Sequence, residues 1–557
     1  MDNKNYVIGV DYGTDSCRAI LVDTADGSRL AESACVYPRW AAGKYCDPAA
    51  DKYRQHPSDY VESFKAVISE IALKVGRNEM SNVKGLSFDT TASTPVLVNE
   101  DGIPLSLLPE FNEDPDAMFV LWKDHTARKE AEEINKLAKG FRVDYTSYSG
   151  GAYSPEWVWA KVLHILRTNK RVASAAYSWT EHCDWMPAWV VGDTKPKKIK
   201  RSRCAAGHKA MWRSEWGGLP SEEFLNAIDP ALGSMRGHLY DQTYTADECV
   251  GFIRPDLAEE IGLPESVRIG VGSIDAHVGA VGASIAPGVL VRIMGTSTCD
   301  IIVSDRKEIG DRCLKGISGQ VDGSVLPGFV GFEAGQAAFG DVYAWFRKLL
   351  MWPVQRMFPE KSDELSSRIL PMLEEEAVRI KDSDSSTIAL DWMNGRRTPD
   401  ADPDVKGAIA GITLGTTAPM IYKALVEATA FGSKAIINRF LSEGIRIDSV
   451  RAVGGISQKS AFVMQTLSDV IGMPIAVASC DQACAHGAAM FASVASGVYS
   501  NAMEAQEAMK SKDGVVYEPD MKRNEFYQNM YDARYAALGR FASGDARSNA
   551  LSKISNK

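Results

Sequence analysis

One pattern constrains the fold more than any other, and it occurs once in each half of the chain. An apolar run meets a short polar turn containing glycine and is answered by a second apolar run. In YVIGVDYGTDSCRAILVD (residues 6–23) the first run reaches Asp11 and turns at Gly13-Thr14; in VLVRIMGTSTCDIIV (residues 289–303) the turn is Gly295-Thr296-Ser297-Thr298. Each reads as a β-hairpin. Helical patterns intervene at residues 58–75, 124–138, 418–441 and 459–471, where apolar residues recur at helical spacing. Strands alternating with helices predict an α/β architecture with sheets covered by helices. A hairpin in each half, with no repeat of 20–50 residues between them, predicts a duplication of whole lobes rather than a solenoid or propeller. The lobes are expected to meet within 250–268, dividing the chain into residues 1–260 and 261–557.

The chain has 557 residues, more than a single hydrophobic core supports, and about two to four domains are expected. Its 62 basic and 72 acidic residues leave a net charge of −10, which argues against a general polyanion binder. The basic run KPKKIKRSR at 195–203 then reads as a solvated loop, and no nucleic-acid partner is expected. Ten cysteines without a C-x-x-C point to reduced thiols. MDNKNYVIGV lacks the pattern of a secretory signal. The apolar windows 278–295 and 483–497 are broken by Pro287, Arg292 or His486, so neither a membrane span nor a membrane partner is expected, and the reading is cytoplasmic. The polar tail beyond about 540 reads as a frayed end.

Glycine turns after strands suit phosphate, because the backbone can approach closely and exposed N–H groups can cradle oxygens. Ordinary hairpins use the same residues, but two such turns in opposed lobes could clamp a nucleotide's phosphates from both sides. GVGSIDAHVG (270–279) places Asp275 where a dinucleotide fingerprint needs its third glycine, and no G-x-x-x-x-G-K-S/T occurs, so Rossmann and P-loop chemistries are disfavoured. Asp275 follows the apolar run RIGVGSI, a setting in which a strand could deliver a carboxylate to a cleft edge. A turn or capping role fits the same residue.

Seven segments in order change that balance: VIGVDYGT (7–14), GLSFDTTAST (85–94), WKDHTA (122–127), GSIDAHVGA (272–280), IMGTSTC (293–299), AGITLGTTAPMIYKALVEATAFG (410–432) and VGGISQKSAFVMQTLSDVIGMPI (453–475). Together they resemble the FGGY carbohydrate kinases, a family within the superfamily of actin, hexokinase and the heat-shock chaperone ATPases. RSRCAAGHKAMW (201–212), with DTTAST, LWKDHTA and GFEAGQAAFGD (331–341), is most similar to the branch that phosphorylates L-ribulose. Thr91-Ala92 stands where glycerol kinases carry Arg-Glu. The chain departs from the general pattern at Glu156, where many members have Lys, and at Met420 and Leu425, while Gly407 and Gly411 are retained.

The resemblance implies two actin-like (ribonuclease H-like) lobes with ATP and sugar meeting between them, the first lobe on the sugar side and the second on the nucleotide side. By match to the motifs, Asp275 would be the general base toward the O5 hydroxyl, and Asp11 would hold Mg²⁺ largely through water. Gly13, Thr14, Gly295, Thr296, Ser297 and Gly335 would face the phosphates. Gly454, Gly455 and Ser460, with Gln458, would lie near adenosine. Ala92 through its backbone, Trp122, Lys209, Asp275 and Glu333 would bind the sugar, with Lys209 and Glu333 selecting the ketopentose. Asp124 and His125 read as residues at a helix start, outside the site. The resemblance implies ATP and L-ribulose as partners, and room is left for a homodimer. The rival readings are a kinase for another ketose or polyol, such as xylulose or ribitol, and a non-catalytic nucleotide switch.

Overall fold

The computed structural model describes residues 4–381 and 386–544; the tail from residue 545 lies outside the described residues. Strands Tyr6–Tyr12, Ser16–Asp23 and Arg29–Val36 form an antiparallel meander. Helix Pro57–Val75 follows, and Val83–Thr90 then returns parallel to the first strand. Arg268–Gly270 adds in parallel beside Val83–Thr90, and Cys249–Phe252 closes the edge antiparallel. The second sheet repeats this plan. Val289–Met294, Thr298–Asp305 and Phe329–Ala334 form the meander; Ser449–Val453 and Ile475–Ala478 continue in parallel, and Asp513–Tyr517 closes the edge. Gly319–Asp322 extends the second meander outward. The duplication expected from two hairpins is therefore a duplication of whole sheets.

The first strand is buried along its whole length because both faces are covered. Ile8, Val10 and Tyr12 pack toward helix Pro57–Val75 through Tyr60, Phe64 and Ile68, whereas Val7 packs with Ala485, Ala489 and Ala492 of helix Ala483–Ala495. That second helix comes from the far end of the sequence. It fits because a Cβ on Gly9 would stand 1.8 Å from the Ala485 carbonyl oxygen, leaving room only for glycine. The same helix crosses helix Asp275–Gly282 at equally short range, a Cβ on Gly487 falling 2.0 Å from the Val278 carbonyl oxygen. Small residues thus let two helices and a strand meet backbone to backbone, which fixes the start of helix Asp275–Gly282 between the lobes.

Arg268, Ile269, Ser273 and Ile274, beyond the expected division at 260/261, pair with Val83–Thr90, so the chain leaves the first sheet at Ile274. The expected helices form at Pro57–Val75, Ala418–Ser442 and Ala461–Ile471. The helix expected from 124 starts at Arg128 instead. Asp124 is drawn away from its N-terminus by Arg54 and by the Tyr53 N–H, which donates to Asp124 Oδ2 at 2.7 Å. A helical insertion with its own core, including Leu97, Trp159, Trp179 and Phe224, lies between Val83–Thr90 and Cys249–Phe252. Arg201, in the middle of the basic run, is buried, with Nη1 donating to Thr180 Oγ1 at 2.9 Å. No helix among the described residues is long and apolar enough to cross a membrane.

Candidate active site

Asp275 opens the helix that joins the two lobes, and the Ala276 N–H donates to its Oδ1 at 2.6 Å. Burial, reinforced by the Asp11 carboxylate, pushes its pKa up to about 7. Asp11 ends the apolar first strand and is answered across the hairpin by Arg18, whose Nη1 stands 3.3 Å from Oδ2. Burial raises the Asp11 pKa despite that guanidinium.

A third carboxylate belongs to this group. Parallel pairing puts Asp89 beside Asp11 in register and Ser273 beside Asp89. Neither Asp89 oxygen has a hydrogen-bond partner among the described residues. Burial, then Asp11 and Asp275, hold its pKa well above the usual carboxylate range. Ligand atoms of Asp11, Asp89 and Cys484 all lie within 4.8 Å of one another. Asp89 carries little local signal, because only the pairing of two distant strands brings it to Asp11; a polar residue at the end of an apolar strand is its one mark in the sequence.

Lys209 and Glu333 also act on the Asp275 charge, and Lys209 Nζ stands 3.1 and 3.0 Å from the two oxygens of Glu333. Lys209 ends helix Arg203–Lys209 of the insertion, and Glu333 lies in strand Phe329–Ala334 of the second sheet, so the pair spans the lobes. Burial opposes both charges, yet each partner outweighs it: the Glu333 carboxyl is held well below its usual range and the Lys209 ammonium above its own. Both groups are therefore charged in the ligand-free protein.

Trp122 Nε1 donates to Thr14 Oγ1 at 3.1 Å, tying the first glycine turn to the insertion. Ala92 packs beside Cys183, Cys204, Ala205 and Ile274. The segments carrying Ala92 and Trp122 are stapled by a second unexpected residue: Lys161 Nζ donates to the carbonyls of Ser93 at 2.7 Å and Leu121 at 2.8 Å. Burial pushes Lys161 down to about 7. Its position in the apolar stretch VWAKVLHIL was the clue. Glu156 pairs with His125 Nε2 at 2.8 Å and faces Arg397 across the lobes at 3.9 Å.

The second glycine turn is exposed at Gly295 and Thr296. The Gly295 N–H closes on the Ser297 carbonyl at 3.0 Å, while the Phe339 and Asp341 N–H groups donate to the Thr296 carbonyl at 2.8 and 3.1 Å. Gly454 sits against it: its φ is +107°, and a Cβ there would come 2.4 Å from the Met294 carbonyl oxygen. Gly455 faces open space. Two residues are not brought to this surface. Gly335 is buried, with its N–H given to Thr398 Oγ1 at 3.3 Å and its Cβ position filled by the Thr298 carbonyl. Ser460 accepts the Val463 N–H at 3.1 Å as a helix cap and donates to Glu374 at 2.7 Å.

Comparison with known proteins follows the same outline. Residues 290–496 match the FGGY family of carbohydrate kinases, C-terminal domain. The chain is 45% identical over 544 residues to a ribulokinase of Vibrio parahaemolyticus, covering 96% of each. It is 35% identical over 538 residues to a ribulokinase of Halalkalibacterium halodurans, covering 94% of this chain and 93% of that one. In fold it is similar to a xylulose kinase from Brucella ovis, with a TM-score of 0.76 at 19% identity over 96% of this chain and 98% of the other. A gluconate kinase from Lactobacillus acidophilus gives a TM-score of 0.76 at 16% identity, over 97% and 99%.

Proposed function

The chain belongs to the ribulokinases among the FGGY carbohydrate kinases, and from that premise we propose that it transfers the γ-phosphoryl group of ATP to O5 of L-ribulose, giving L-ribulose 5-phosphate and ADP. The observation that carries this reading is the placement of Asp275. It is half-buried, with the Asp11 and Asp89 carboxylates and the charged Lys209–Glu333 pair all close enough to act on its charge, and its pKa of about 7 suits a base at neutral pH.

In this reading Lys209 and Glu333 hold sugar hydroxyls, and Ala92 and Trp122 form the adjoining wall. Polar groups buried at fixed positions select one stereoisomer, since leaving one unpaired costs about 1–3 kcal/mol. Asp275 takes the O5 proton as the new O–P bond forms and the bond from the γ-phosphorus to the bridging oxygen breaks, releasing ADP. Thr14, Thr296, Ser297, Gly454 and Gly455 offer backbone N–H and hydroxyl groups to the phosphates and adenosine, while Gly13 and Gly295 let the phosphates approach the turns, their own N–H groups closing on the Ser16 and Ser297 carbonyls; the first turn is held by the Trp122–Thr14 contact.

Asp11 and Asp89 would hold magnesium. Two hard oxygen donors suit that ion, and both Asp89 oxygens are buried without a hydrogen-bond partner among the described residues. Bound with ATP, magnesium supplies neutralisation of phosphate charge. The reading extends to a cytoplasmic enzyme of L-arabinose breakdown and to a homodimer, which sedimentation velocity would detect.

The test is ADP release with MgATP against L-ribulose, D-ribulose, L- and D-xylulose, ribitol, glycerol and no sugar. A strong preference for L-ribulose is expected. Turnover with another polyol alone would overturn the substrate assignment while keeping Asp275 as base, and sugar-independent hydrolysis alone would favour the nucleotide switch.

A further inference from the structure

A cluster beside the sugar-side pair has no role in the reaction above. Cys204 and His208 lie one turn apart on helix Arg203–Lys209, and His277 lies on helix Asp275–Gly282. One ligand atom from each of the three lies within 4.8 Å of the other two, and all three side chains are buried. Buried ring nitrogens are normally hydrogen-bonded. Here both nitrogens of His277 and Nδ1 of His208 have no hydrogen-bond partner among the described residues, although these side chains are only 1% and 2% exposed.

Ser324 Oγ reaches both the Val321 carbonyl at 3.0 Å and His208 Nε2 at 3.1 Å; where it donates to Val321, Nε2 carries the ring proton and Nδ1 presents a bare lone pair. Glu333 Oε2 is 3.4 Å from His208 Nδ1 and 3.6 Å from His277 Nε2, and the same oxygen holds Lys209 Nζ at 3.0 Å. A ring that donates its far N–H to a fixed acceptor is the outer-shell arrangement of a metal-bound imidazole.

We propose that Cys204, His208 and His277 form a three-ligand site for a transition-metal ion of the Zn²⁺ class, with Glu333 Oε2 facing both imidazoles beside it. Thiolate and imidazole donors select such an ion over Mg²⁺, so the site is chemically distinct from the oxygen donors at Asp11 and Asp89. The three ligands come from the insertion and the joining helix, Glu333 of the second sheet faces them, and an ion there, by attracting that carboxylate, ties the two lobes together. It also takes Glu333 from Lys209 and so excludes the sugar; this last consequence alone rests on the proposed function.

Titrating the chelator-treated full chain with Co²⁺ tests the site. One equivalent is expected to bind with the strong visible bands of four-coordinate cobalt and a sulfur-to-cobalt charge-transfer band in the near ultraviolet, and Zn²⁺ should bleach both. Cys204→Ser should abolish the charge-transfer band, and His208→Gln should weaken binding at least about tenfold. Wild-type protein showing only the weak bands of hexaaqua cobalt overturns the proposal, with no dependence on whether a variant folds. A charge-transfer band that survives in Cys204→Ser overturns it equally. Loss of the bands on adding L-ribulose supports the exclusion of sugar. Bands that persist while the sugar still turns over overturn the exclusion and the placement of Glu333 on the sugar, leaving the metal site standing.

Discussion

Lys209 and Glu333 form a two-pronged ion pair across the lobes, with Nζ 3.1 and 3.0 Å from the two carboxylate oxygens and both side chains almost wholly out of water. Breaking a buried pair from one side strands the other charge, which costs about 3–5 kcal/mol, whereas replacing both partners by apolar groups of similar volume is often neutral. Lys209→Met is therefore expected to lower thermal stability sharply and to abolish ribulose turnover. Lys209→Met combined with Glu333→Leu should recover most of the stability and none of the turnover. Melting curves beside sugar kinetics check this; recovered turnover in the double variant would remove the pair from the sugar site.

Asp275 should show opposite effects on rate and stability. Its folded pKa of about 7 lies above the ordinary carboxylate range, so between about pH 4 and 7 the folded protein holds a proton that the unfolded chain has released. Stability from this group is present below pH 4 and is lost as the pH rises through 7. Asp275→Asn removes the cost of a buried charge: it should melt higher than the parent at pH 8 and turn over about 10²–10⁴-fold more slowly, with ATP and sugar binding retained. In the parent, kcat/KM should fall about tenfold per pH unit below about 7, because the base must be ionised in the free enzyme. A profile flat from pH 5 to 8 would remove Asp275 from the proton transfer.

Lys161 acts on the site through the backbone. Lys161→Met leaves the Ser93 and Leu121 carbonyls without their donor, at about 1–3 kcal/mol for each buried group left unpaired. Because these segments carry Ala92 and Trp122, the KM for sugar should rise by about tenfold or more while the KM for ATP changes little, since small misplacements of binding groups are costly. Equal shifts in both constants would point to general destabilisation.

Adjacent glycines in the second lobe should differ. At Gly454 the backbone is left-handed and a Cβ meets the Met294 carbonyl at 2.4 Å. Gly454→Ala is expected to destabilise by about 1–3 kcal/mol and to raise the KM for ATP by displacing the neighbouring turn. Gly455→Ala enters open space and should stay within about 0.5 kcal/mol of the parent. Titration of both variants with ADP, followed by melting temperature, separates them.

Legibility differed from residue to residue for physical reasons. Asp11, Gly13 and Gly295 stand in contiguous strand–turn text, where alternation and turn chemistry are local, and Asp275 and Lys209 were reached through motifs whose segments resemble a family. Ser460 and Gly335 carried the right neighbours in sequence but not in space. The Ser460 hydroxyl serves a helix cap and Glu374, and the Gly335 Cβ position is filled by another strand. Asp124 reads as a helix-start residue because its attraction to Arg54, seventy positions earlier, leaves no local trace.

The amino-acid sequence by itself determined the α/β class, the paired hairpins, the principal helices and, through its segments, the family, because all of these depend on periodicity, turn residues and contiguous motifs. Tertiary structure alone decided the rest. It set Asp89 beside Asp11 through parallel strand register, aimed Lys161 at two distant carbonyls, brought Lys209 to Glu333 across the lobes, and laid an alanine-rich helix from the far end of the chain over Gly9. Each of these joins residues far apart in sequence, and their energies come from burial and pairing, which exist only once the sheets have been assembled.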